Sequence, residues 1–326
     1  MHYVSLPNTD LRVSALCLGS TFIGSEIDRT TSFALLDAFF EAGGTFVDTA
    51  SVYASWLPGA PHQSEKTIGA WLQRSGRRKD VVLATKGAHP GLATMHVGRM
   101  SRAEIEHDLH TSLANLQTEV IDLYWLHRDD STRPVDEIIE VLEAQVAAGK
   151  IRYYGCSNWR VERIAAAQAY AQAHGYTGFV GDQMLWNLAA IGQADLPDQT
   201  NVVMDAALWR YHDQHGLAAI PYSAQANGYF HRAAQGTVGQ MKTPQRQMYD
   251  NAVNRQRAVR VQQVAAAGGF SLTAVVLGYL MAQPFVTVPI IGPRSVVQLQ
   301  DSLAAADVRL TPEQVQGLTG ELFVSP

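Results

Sequence analysis

The chain has 326 residues, of which 47% are hydrophobic and 17% are charged, so it is long enough and apolar enough to bury a sizeable core. Its formal charge of −5 at pH 7 offers no basic stripe to a polyanion, and we expect no nucleic-acid partner. The N-terminus lacks the basic and apolar regions of a signal peptide, and the longest apolar run, residues 270–282, is too short to span a bilayer. We therefore expect a soluble protein without a membrane partner.

The chain begins with a predicted hairpin. Residues 2–6 and 11–13 are strand-like, and the turn between them contains Pro, Asn, Thr and Asp. This hairpin precedes the first long apolar strand, so we expect it to close the bottom of whatever sheet follows.

Eight apolar runs of strand length then alternate with longer stretches at helical spacing. Helical patterns such as 29–44, 101–117 and 133–150 separate the runs, and several of them end in Gly, which is typical of helix C-termini. Continuous apolar strands separated by helices predict a parallel sheet covered on its outside. Eight such units predict an α/β fold of the (β/α)8 TIM-barrel type, formed as a single domain over residues 1–326. The predicted strands cover 13–19, 45–50, 81–86, 121–127, 151–157, 178–184, 217–223 and 286–292.

One segment departs from this regular pattern. Residues 225–250 have no clean period and follow the seventh strand, which predicts a long loop over the top face.

The two cysteines, Cys17 and Cys156, each lie in a predicted strand. We therefore expect buried free thiols and a cytoplasmic location rather than a disulfide framework.

Polar residues stand at almost every strand end. In a barrel these ends converge on one mouth, where enzymes of this architecture place their chemistry. Each residue alone has an ordinary structural explanation, such as a turn aspartate or a satisfied core histidine. An acid, an ammonium and an imidazole at three successive strand ends must nevertheless share one mouth. The strand ends are Gly19, Ser20, Asp48, Lys86, His127, Ser157, Asn158, Gln183, Tyr222, Ser223 and Gly292.

The strand-end residues predict proton transfer. A lysine among apolar strands keeps its proton only if a carboxylate holds it, and Asp48 on the neighbouring strand is the available partner of Lys86. An ammonium beside a tyrosine stabilises the phenolate, so Tyr53, five residues after Asp48, becomes a usable general acid. His127 can hydrogen-bond a substrate oxygen and share in the proton relay.

These segments resemble the aldo-keto reductase family along nearly the whole chain. The resemblance implies reduction of aldehydes or ketones with NADPH on a (β/α)8 barrel. It implies Tyr53 as the general acid, Lys86 and Asp48 as the pair that tunes it, and His127 as the group that orients the carbonyl. The matching segments are FVDTASVY (46–53), SEKTIG (64–69), LATKG (83–87), IDLYWLHR (121–128), GKIRYYGCSNW (149–159), GDQMLWN (181–187), IPYSAQANGYF (220–230) and PIIGPRSVVQLQDSL (289–303).

The resemblance also implies that the cofactor lies extended across the mouth, since no G-x-G-x-x-G motif of a Rossmann site occurs. Arg294 is the candidate residue for binding the 2′-phosphate of NADPH, because a guanidinium can donate two parallel hydrogen bonds to a phosphate group. Asp301 and Ser302 replace a customary Glu-Asn, and Ala224 and Gln225 replace Pro-Leu, so NAD stays possible. The implied cofactor contacts are Ser157, Asn158 and Gln183 at the carboxamide, Tyr222 on the ring, Gly19, Ser20 and Thr21 at the ribose, Ser223, Ala224 and Gln225 at the pyrophosphate, and Gly292, Arg294, Gln298 and Ser302 beyond it.

The substrate is predicted only by class, as a small-molecule carbonyl or alcohol. Trp56, Trp159 and Trp186 follow strand ends and could wall a pocket for a sugar-like or an aromatic carbonyl, of which we prefer the sugar-like one.

Two alternatives stay open at this point. One is a non-catalytic redox-sensor subunit of the channel-β type that keeps a nicotinamide cofactor. The other is a metal-dependent barrel lyase or hydrolase, suggested by HRDD (127–130) and by the pairs His107/His110 and His212/His215. Those pairs stand on polar helix patterns, so we expect them at the surface and predict no metal.

Overall fold

The computed structural model describes residues 1–58 and 61–320. A two-stranded antiparallel hairpin precedes an eight-stranded parallel sheet. The strands are Tyr3–Ser5 (β1), Arg12–Ser14 (β2), Cys17–Gly19 (β3), Phe46–Asp48 (β4), Val82–Gly87 (β5), Ile121–Leu126 (β6), Ile151–Ser157 (β7), Phe179–Gln183 (β8), Ala218–Ala219 (β9) and Ile290–Ile291 (β10).

Helices connect the strands and cover the sheet. Their starts carry local signals: Asp28 caps the first helix, and Ser101 and Glu104 form a capping box at the third. The helices are Arg29–Glu41 (α1), Gln63–Ser75 (α2), Arg102–Leu116 (α3), Val135–Ala147 (α4), Val161–Ala173 (α5), Ala206–His215 (α6), Tyr229–Ala234 (α7), Thr243–Tyr249 (α8), Ala252–Gly268 (α9), Leu272–Met281 (α10), Val296–Leu303 (α11) and Pro312–Thr319 (α12).

The parallel strands close into a barrel. Their order is β10-β3-β4-β5-β6-β7-β8-β9, so consecutive strands are neighbours throughout. Between the two ends, Ala219 N donates to Val286 O at 2.9 Å and Val288 N donates to Ala219 O at 2.9 Å. A parallel bridge joins Ala219 to Thr287 at the same place. The predicted (β/α)8 fold is therefore confirmed.

The barrel interior is filled by side chains of unequal size. Phe46 and Trp125 are fully buried there with Ala84, and Leu6 and Leu11 of the hairpin belong to the same apolar cluster. The hairpin thus closes the bottom, as predicted. Glycine leaves room for the largest of these side chains: a Cβ at Gly155 would collide with the Trp125 ring.

Most barrel strands are shorter than predicted, and residues 13 and 14 of the first predicted strand belong to β2 of the hairpin instead. The last two barrel strands have only two ladder residues each, within predicted runs of seven. Pro221 and Pro289 lie in these runs and have no N–H to give to a neighbour. Their carbonyls still take part, since Ile290 N donates to Pro221 O at 2.9 Å and Cys17 N donates to Pro289 O at 3.1 Å.

The segment 225–250 is as long as predicted but is not irregular. It contains α7, α8 and two short 3₁₀ turns, at Ala226–Gly228 and Val238–Gln240. Tyr229, Phe230, Met248 and Tyr249 are buried. Each helix is too short to show a period in the sequence, which is why the prediction of a loop was wrong.

The buried polar groups include one further departure from expectation. His212 was expected at the surface, but it is fully buried, with Nδ1 2.8 Å from Leu217 O and Nε2 3.6 Å from Asp182 Oδ2. The prediction was wrong because Asp182, on the outer side of β8, supplies a polar partner that spacing does not reveal. Cys17 and Cys156 are both buried and free, as predicted.

Among the residues that the structure describes, no single helix is long and apolar enough to cross a membrane. The pair α9 and α10 passes the same test together but is bent by 98° at its break.

Candidate active site

The four residues predicted to carry out the chemistry meet at the carboxyl ends of β4, β5 and β6. Lys86 Nζ donates to the Asp48 carboxylate, to Thr49 O at 2.7 Å and to the Tyr53 hydroxyl oxygen at 3.1 Å. All three donors of the ammonium are thereby used. Because the Tyr53 oxygen accepts from Lys86, its own O–H is free to be donated elsewhere.

Burial and pairing together fix the charge of Lys86. The Lys86 and Asp48 side chains are only 2% and 1% exposed. Burial lowers the pKa of Lys86, but the Asp48 carboxylate and Tyr53 outweigh it, so the pKa lies above its ordinary value. Burial raises the pKa of Asp48, and Lys86 and Gln183 act against that shift. Gln183 contributes by donating from Nε2 to Asp48 Oδ1 at 2.8 Å.

His127 faces the tyrosine as a neutral imidazole. Its ring centroid lies 5.9 Å from that of Tyr53, and its backbone N–H donates to Gly87 O at 2.9 Å. Burial, with Arg128 and His89 nearby, holds the pKa of His127 well below its ordinary value. Nδ1 is buried and has no hydrogen-bond partner within the described part of the chain. A neutral imidazole can hydrogen-bond a carbonyl oxygen without adding a charge to the site.

Two neighbours of His127 were not predicted from the sequence. The His89 ring lies 4.7 Å from the His127 ring, edge to face, and its Nδ1 is 2.7 Å from Pro90 O. Arg128 NH1 donates to His127 O at 2.9 Å, and its other nitrogens bond Thr200 and Asp198. His89 comes three residues after Lys86, just beyond the end of β5, and that proximity is the only sequence signal for it.

His89 makes the stability depend on pH. Burial, followed by Arg128, lowers its pKa from 6.5 to about 4. Below pH 6.5 the His89 side chain therefore binds a proton more readily in the unfolded chain than in the folded one. Its contribution to the free energy of unfolding is complete above pH 6.5 and is lost as the pH falls toward 4. Between pH 7 and pH 4, we expect the free energy of unfolding to fall less for His89→Asn than for the unchanged protein. The difference between the two falls should be about 2 kcal/mol after allowance for the partial exposure of His89. Urea unfolding at several pH values measures this, and equal pH slopes for both proteins would contradict it.

His215→Asn is the matched control, because it removes an exposed imidazole from the last turn of α6. Its unfolding at the same pH values measures how much of the change in His89→Asn follows from the loss of any one imidazole.

The loops at the mouth are held in unusual backbone conformations. Ala54, Ala88, Asn158 and Ser223 follow four different strands, and their φ values are +67°, +57°, +61° and +54°. For residues with a Cβ this left-handed region costs about 1 kcal/mol or more each. Such strain persists only where the surrounding structure determines the backbone, and here it surrounds the four central side chains.

The residues predicted to hold the carboxamide and ring of the cofactor lie around this mouth. Gln183 Oε1 is buried without a partner among residues 1–58 and 61–320, so it can accept from an amide N–H. Asn158 is more occupied: Oδ1 accepts from Val202 N at 3.0 Å and from the Tyr222 hydroxyl at 2.7 Å, while Nδ2 donates to Ser157 Oγ at 3.0 Å. These residues fit a nicotinamide, with Gln183 as the available acceptor.

The predicted ribose contacts are partly structural. Ser20 Oγ donates to Asp48 O at 2.9 Å and is itself buried, which leaves half-buried Thr21 as the more accessible of the two. A Cβ at Gly19 would lie 2.6 Å from Ile290 Cγ2, so only glycine fits between the first and last barrel strands. Gly292 differs, because a Cβ there would meet no described atom within 4 Å.

The more distant predicted cofactor residues interact with one another. Gln225 Nε2 donates to Ser302 Oγ at 3.0 Å, which joins the two positions where the sequence departs from the resembled pattern. Ser302 Oγ donates in turn to Gln298 O at 2.9 Å, and Ala224 is 1% exposed. Ser223 is held by Asn187, whose Nδ2 donates to Ser223 O at 3.1 Å. The two departures thus form one local hydrogen-bonded unit.

Arg294 lies at the surface and already has an acidic partner. NH1 is 2.9 Å from Glu26 Oε2, and both side chains are about half exposed, at 46% and 39%. The guanidinium carbon lies 4.1 Å from the centroid of Phe22, and Gln298 Oε1 accepts from Arg294 N at 2.8 Å. Sequence reasoning did not identify Glu26, because 268 residues separate it from Arg294.

The three predicted pocket tryptophans lie in different environments. Trp56 is 42% exposed, and its ring centroid is 6.4 Å from that of Tyr53, so it is placed to meet a substrate. Trp159 is fully buried and donates from Nε1 to Arg128 O at 3.2 Å. Trp186 is 3% exposed and contacts Tyr279 and Phe285. We therefore keep only Trp56 as a candidate pocket residue.

Among the described residues, no three or more His, Cys, Asp and Glu side chains lie together in a group that could hold a metal ion.

Comparison with known proteins gives consistent matches along the chain. The family model described as "Aldo/keto reductase family" matches residues 15–320. An uncharacterized oxidoreductase, YrpG, of Bacillus subtilis (strain 168) is 32% identical over 332 residues, covering 100% of this chain and 97% of that protein. An aryl-alcohol dehydrogenase [NADP(+)] of Phanerodontia chrysosporium is 31% identical over 343 residues, covering 97% and 84%. Among solved structures, a thermostable aldo-keto reductase in complex with the inhibitor epalrestat has the same fold, with a TM-score of 0.72, 22% identity and coverage of 98% and 99%.

Proposed function

Because this chain belongs to the aldo/keto reductase family, we propose that it reduces aromatic aldehydes or ketones with NADPH, with Tyr53 as the general acid. Membership makes it an oxidoreductase that acts on small-molecule carbonyl or alcohol substrates and uses a nicotinamide cofactor. The observation that carries the proposal is the buried ammonium of Lys86, which bonds the Asp48 carboxylate and the Tyr53 oxygen at the same time.

The proposed mechanism assigns one task to each of the four side chains. A reduced nicotinamide, for which Gln183 and Tyr222 are the proposed contacts, would supply a hydride to the carbonyl carbon. Tyr53 donates its O–H proton to the carbonyl oxygen, since that hydrogen is not used by Lys86. Lys86 stabilises the phenolate that remains, and Asp48 keeps Lys86 charged in a buried position. His127 donates a hydrogen bond to the carbonyl oxygen from its neutral ring and so orients the substrate.

An aromatic substrate fits the ring-lined mouth better than the sugar-like one that we preferred from the sequence. Trp56, Tyr53, His127 and His89 form a chain of edge-to-face contacts, with centroid distances of 6.4, 5.9 and 4.7 Å. Flat apolar rings favour another ring over a surface of hydroxyl groups. The name of the relative that acts on aryl alcohols supports the same choice.

On the basis of Arg294, we propose that the protein prefers NADPH to NADH. Because Arg294 pairs with Glu26, one substitution should raise the KM for NADPH and another should lower it. Arg294→Gln should raise the KM for NADPH about tenfold and leave the KM for NADH unchanged, because only the 2′-phosphate loses a charged partner. Glu26→Gln should lower the KM for NADPH a few-fold, because it frees the guanidinium. Steady-state kinetics with both cofactors measure this. Equal changes for NADPH and NADH would place the 2′-phosphate elsewhere.

The buried free thiols of Cys17 and Cys156 support a reducing, cytoplasmic location for this activity. The function itself is tested by the fall in nicotinamide absorbance with a panel of aromatic aldehydes, aryl ketones, sugars and keto-sugars. Faster turnover of the aromatic carbonyls in the panel would support the proposal. Turnover of sugars alone would contradict it and favour the sugar-like substrate predicted from the sequence. Tight cofactor binding without turnover across the panel would favour a redox-sensor subunit.

A further inference from the structure

A cavity that none of the four proton-transfer residues lines lies beside the loop after β8. It has a volume of about 490 Å³ and is formed between the loop that follows β8 and the start of α9. None of the side chains assigned above to proton transfer or to the cofactor lines it. Its lining includes Leu185, Trp186, Val203, Met204, Asn251 and Arg257. A volume of this size is in the range of small-molecule sites, which span about 300–1,000 Å³.

The unusual feature of this cavity is a buried arginine that has no acidic partner among the described residues. Arg257 is 2% exposed, and NH1 and NH2 donate to Leu188 O at 2.6 Å and Thr319 O at 3.0 Å. Its Nε is buried and has no hydrogen-bond partner in residues 1–58 and 61–320. No carboxylate lies within 4.0 Å of the guanidinium in that part of the chain, so neutral carbonyls provide its only bonds.

A buried charge that is balanced only by neutral carbonyls is costly. Arginine keeps its proton inside proteins, so the charge cannot be relieved by deprotonation. Removing such a charge from water costs several kcal/mol unless an anion compensates it. The first turn of α9, a helix of 17 residues, also borders the cavity and adds the positive end of the helix dipole. The local potential is therefore suited to a negative group.

The rest of the lining determines the kind of anion. Leu185, Val203 and Met204 are buried apolar side chains, and Trp186 presents an aromatic wall. Asp195, the acidic residue of the lining, is exposed and already accepts from Gly192 N at 2.8 Å. A small inorganic ion would leave most of this apolar surface unused.

We propose that this cavity binds a small-molecule carboxylate with an apolar, ring-sized body, with the carboxylate at Arg257. Arg257 supplies a positive charge beside the carboxylate, and the apolar body contacts Trp186 and the aliphatic side chains. The site shares no residue with the proton-transfer group or the predicted cofactor contacts, although Asn187, which lines it, donates to the backbone oxygen of Ser223.

The test measures binding of benzoate by calorimetry in the full-length protein, with the neutral benzamide as the matched ligand. We expect saturable binding of benzoate and at least tenfold weaker binding of benzamide, because only the anion compensates Arg257. Arg257→Gln should weaken benzoate binding about tenfold or more.

Ala190→Phe provides a second variant that retains Arg257. Ala190 lines the cavity, and a phenyl group there fills the space needed by the ring of the ligand. We expect loss of benzoate binding with unchanged carbonyl reduction, whereas Tyr53→Phe should bind benzoate as the unchanged protein does. Absence of binding at about 10 mM benzoate, equal affinity for benzamide, or full binding by Ala190→Phe would overturn the proposal. Binding that Tyr53→Phe alone alters would assign benzoate to the catalytic mouth and would overturn it as well.

Discussion

Tyr53→Phe is expected to lower kcat for carbonyl reduction by about 10²–10⁴-fold, which is the range for loss of a general acid. The substitution removes one oxygen, which now accepts from Lys86 at 3.1 Å and carries the proton that we assign to the substrate. The ring keeps its position between Trp56 and His127. Cofactor affinity should therefore change by less than twofold, because the hydroxyl belongs to the transition state rather than to cofactor binding.

Fluorescence titration with NADPH and single-turnover absorbance measurements separate these two effects. Tyr3→Phe is a suitable control, because it removes a hydroxyl that donates to Gly43 O on the exposed side of the hairpin. It should leave both quantities unchanged. A loss of cofactor affinity equal to the loss of turnover in Tyr53→Phe would show that the tyrosine is structural.

Lys86→Met is expected to destabilise the protein by about 3–5 kcal/mol in addition to abolishing turnover. The lysine and its partner are almost fully buried, so the substitution leaves the Asp48 carboxylate without its opposite charge. The bond of 2.8 Å from Gln183 Nε2 to Asp48 Oδ1 would remain, but it brings no opposite charge. The change in free energy of unfolding is measured by urea titration at pH 7.

The double variant Lys86→Met, Asp48→Asn separates the charge from the packing. With the carboxylate neutralised, no unpaired charge remains, so we expect recovery of most of the lost stability without recovery of turnover. Asp48→Asn alone should also be destabilised, because it leaves the ammonium unpaired. If the double variant were as unstable as the sum of the two single variants, the pair would not be coupled and the proposed role of Asp48 would be wrong.

The local pattern of the chain was sufficient to predict the barrel and the side chains that meet at its mouth. Almost every barrel strand is a short apolar run with a polar residue at its end, and that information lies within a few neighbouring residues. Lys86 needs Asp48 wherever the sheet is parallel and the strands are adjacent, so their pairing followed from strand order alone. The α7–α8 segment was mispredicted because its helices of six and seven residues are stabilised by burial of Tyr229 and Tyr249 rather than by their own periodicity.

The sequence by itself therefore determined the (β/α)8 fold, the hairpin at its base, and the meeting of Asp48, Tyr53, Lys86 and His127. Only the tertiary structure decided which polar groups are already satisfied and which remain free. Arg294 pairs with Glu26, and Gln225 donates to Ser302, in both cases across distant segments of the chain. Arg257 is buried without an acidic partner in the described chain. Periodicity reports which face of an element is buried. Hydrogen bonds and charges depend on atoms that approach within about 3 Å in space, and residue order does not encode that distance.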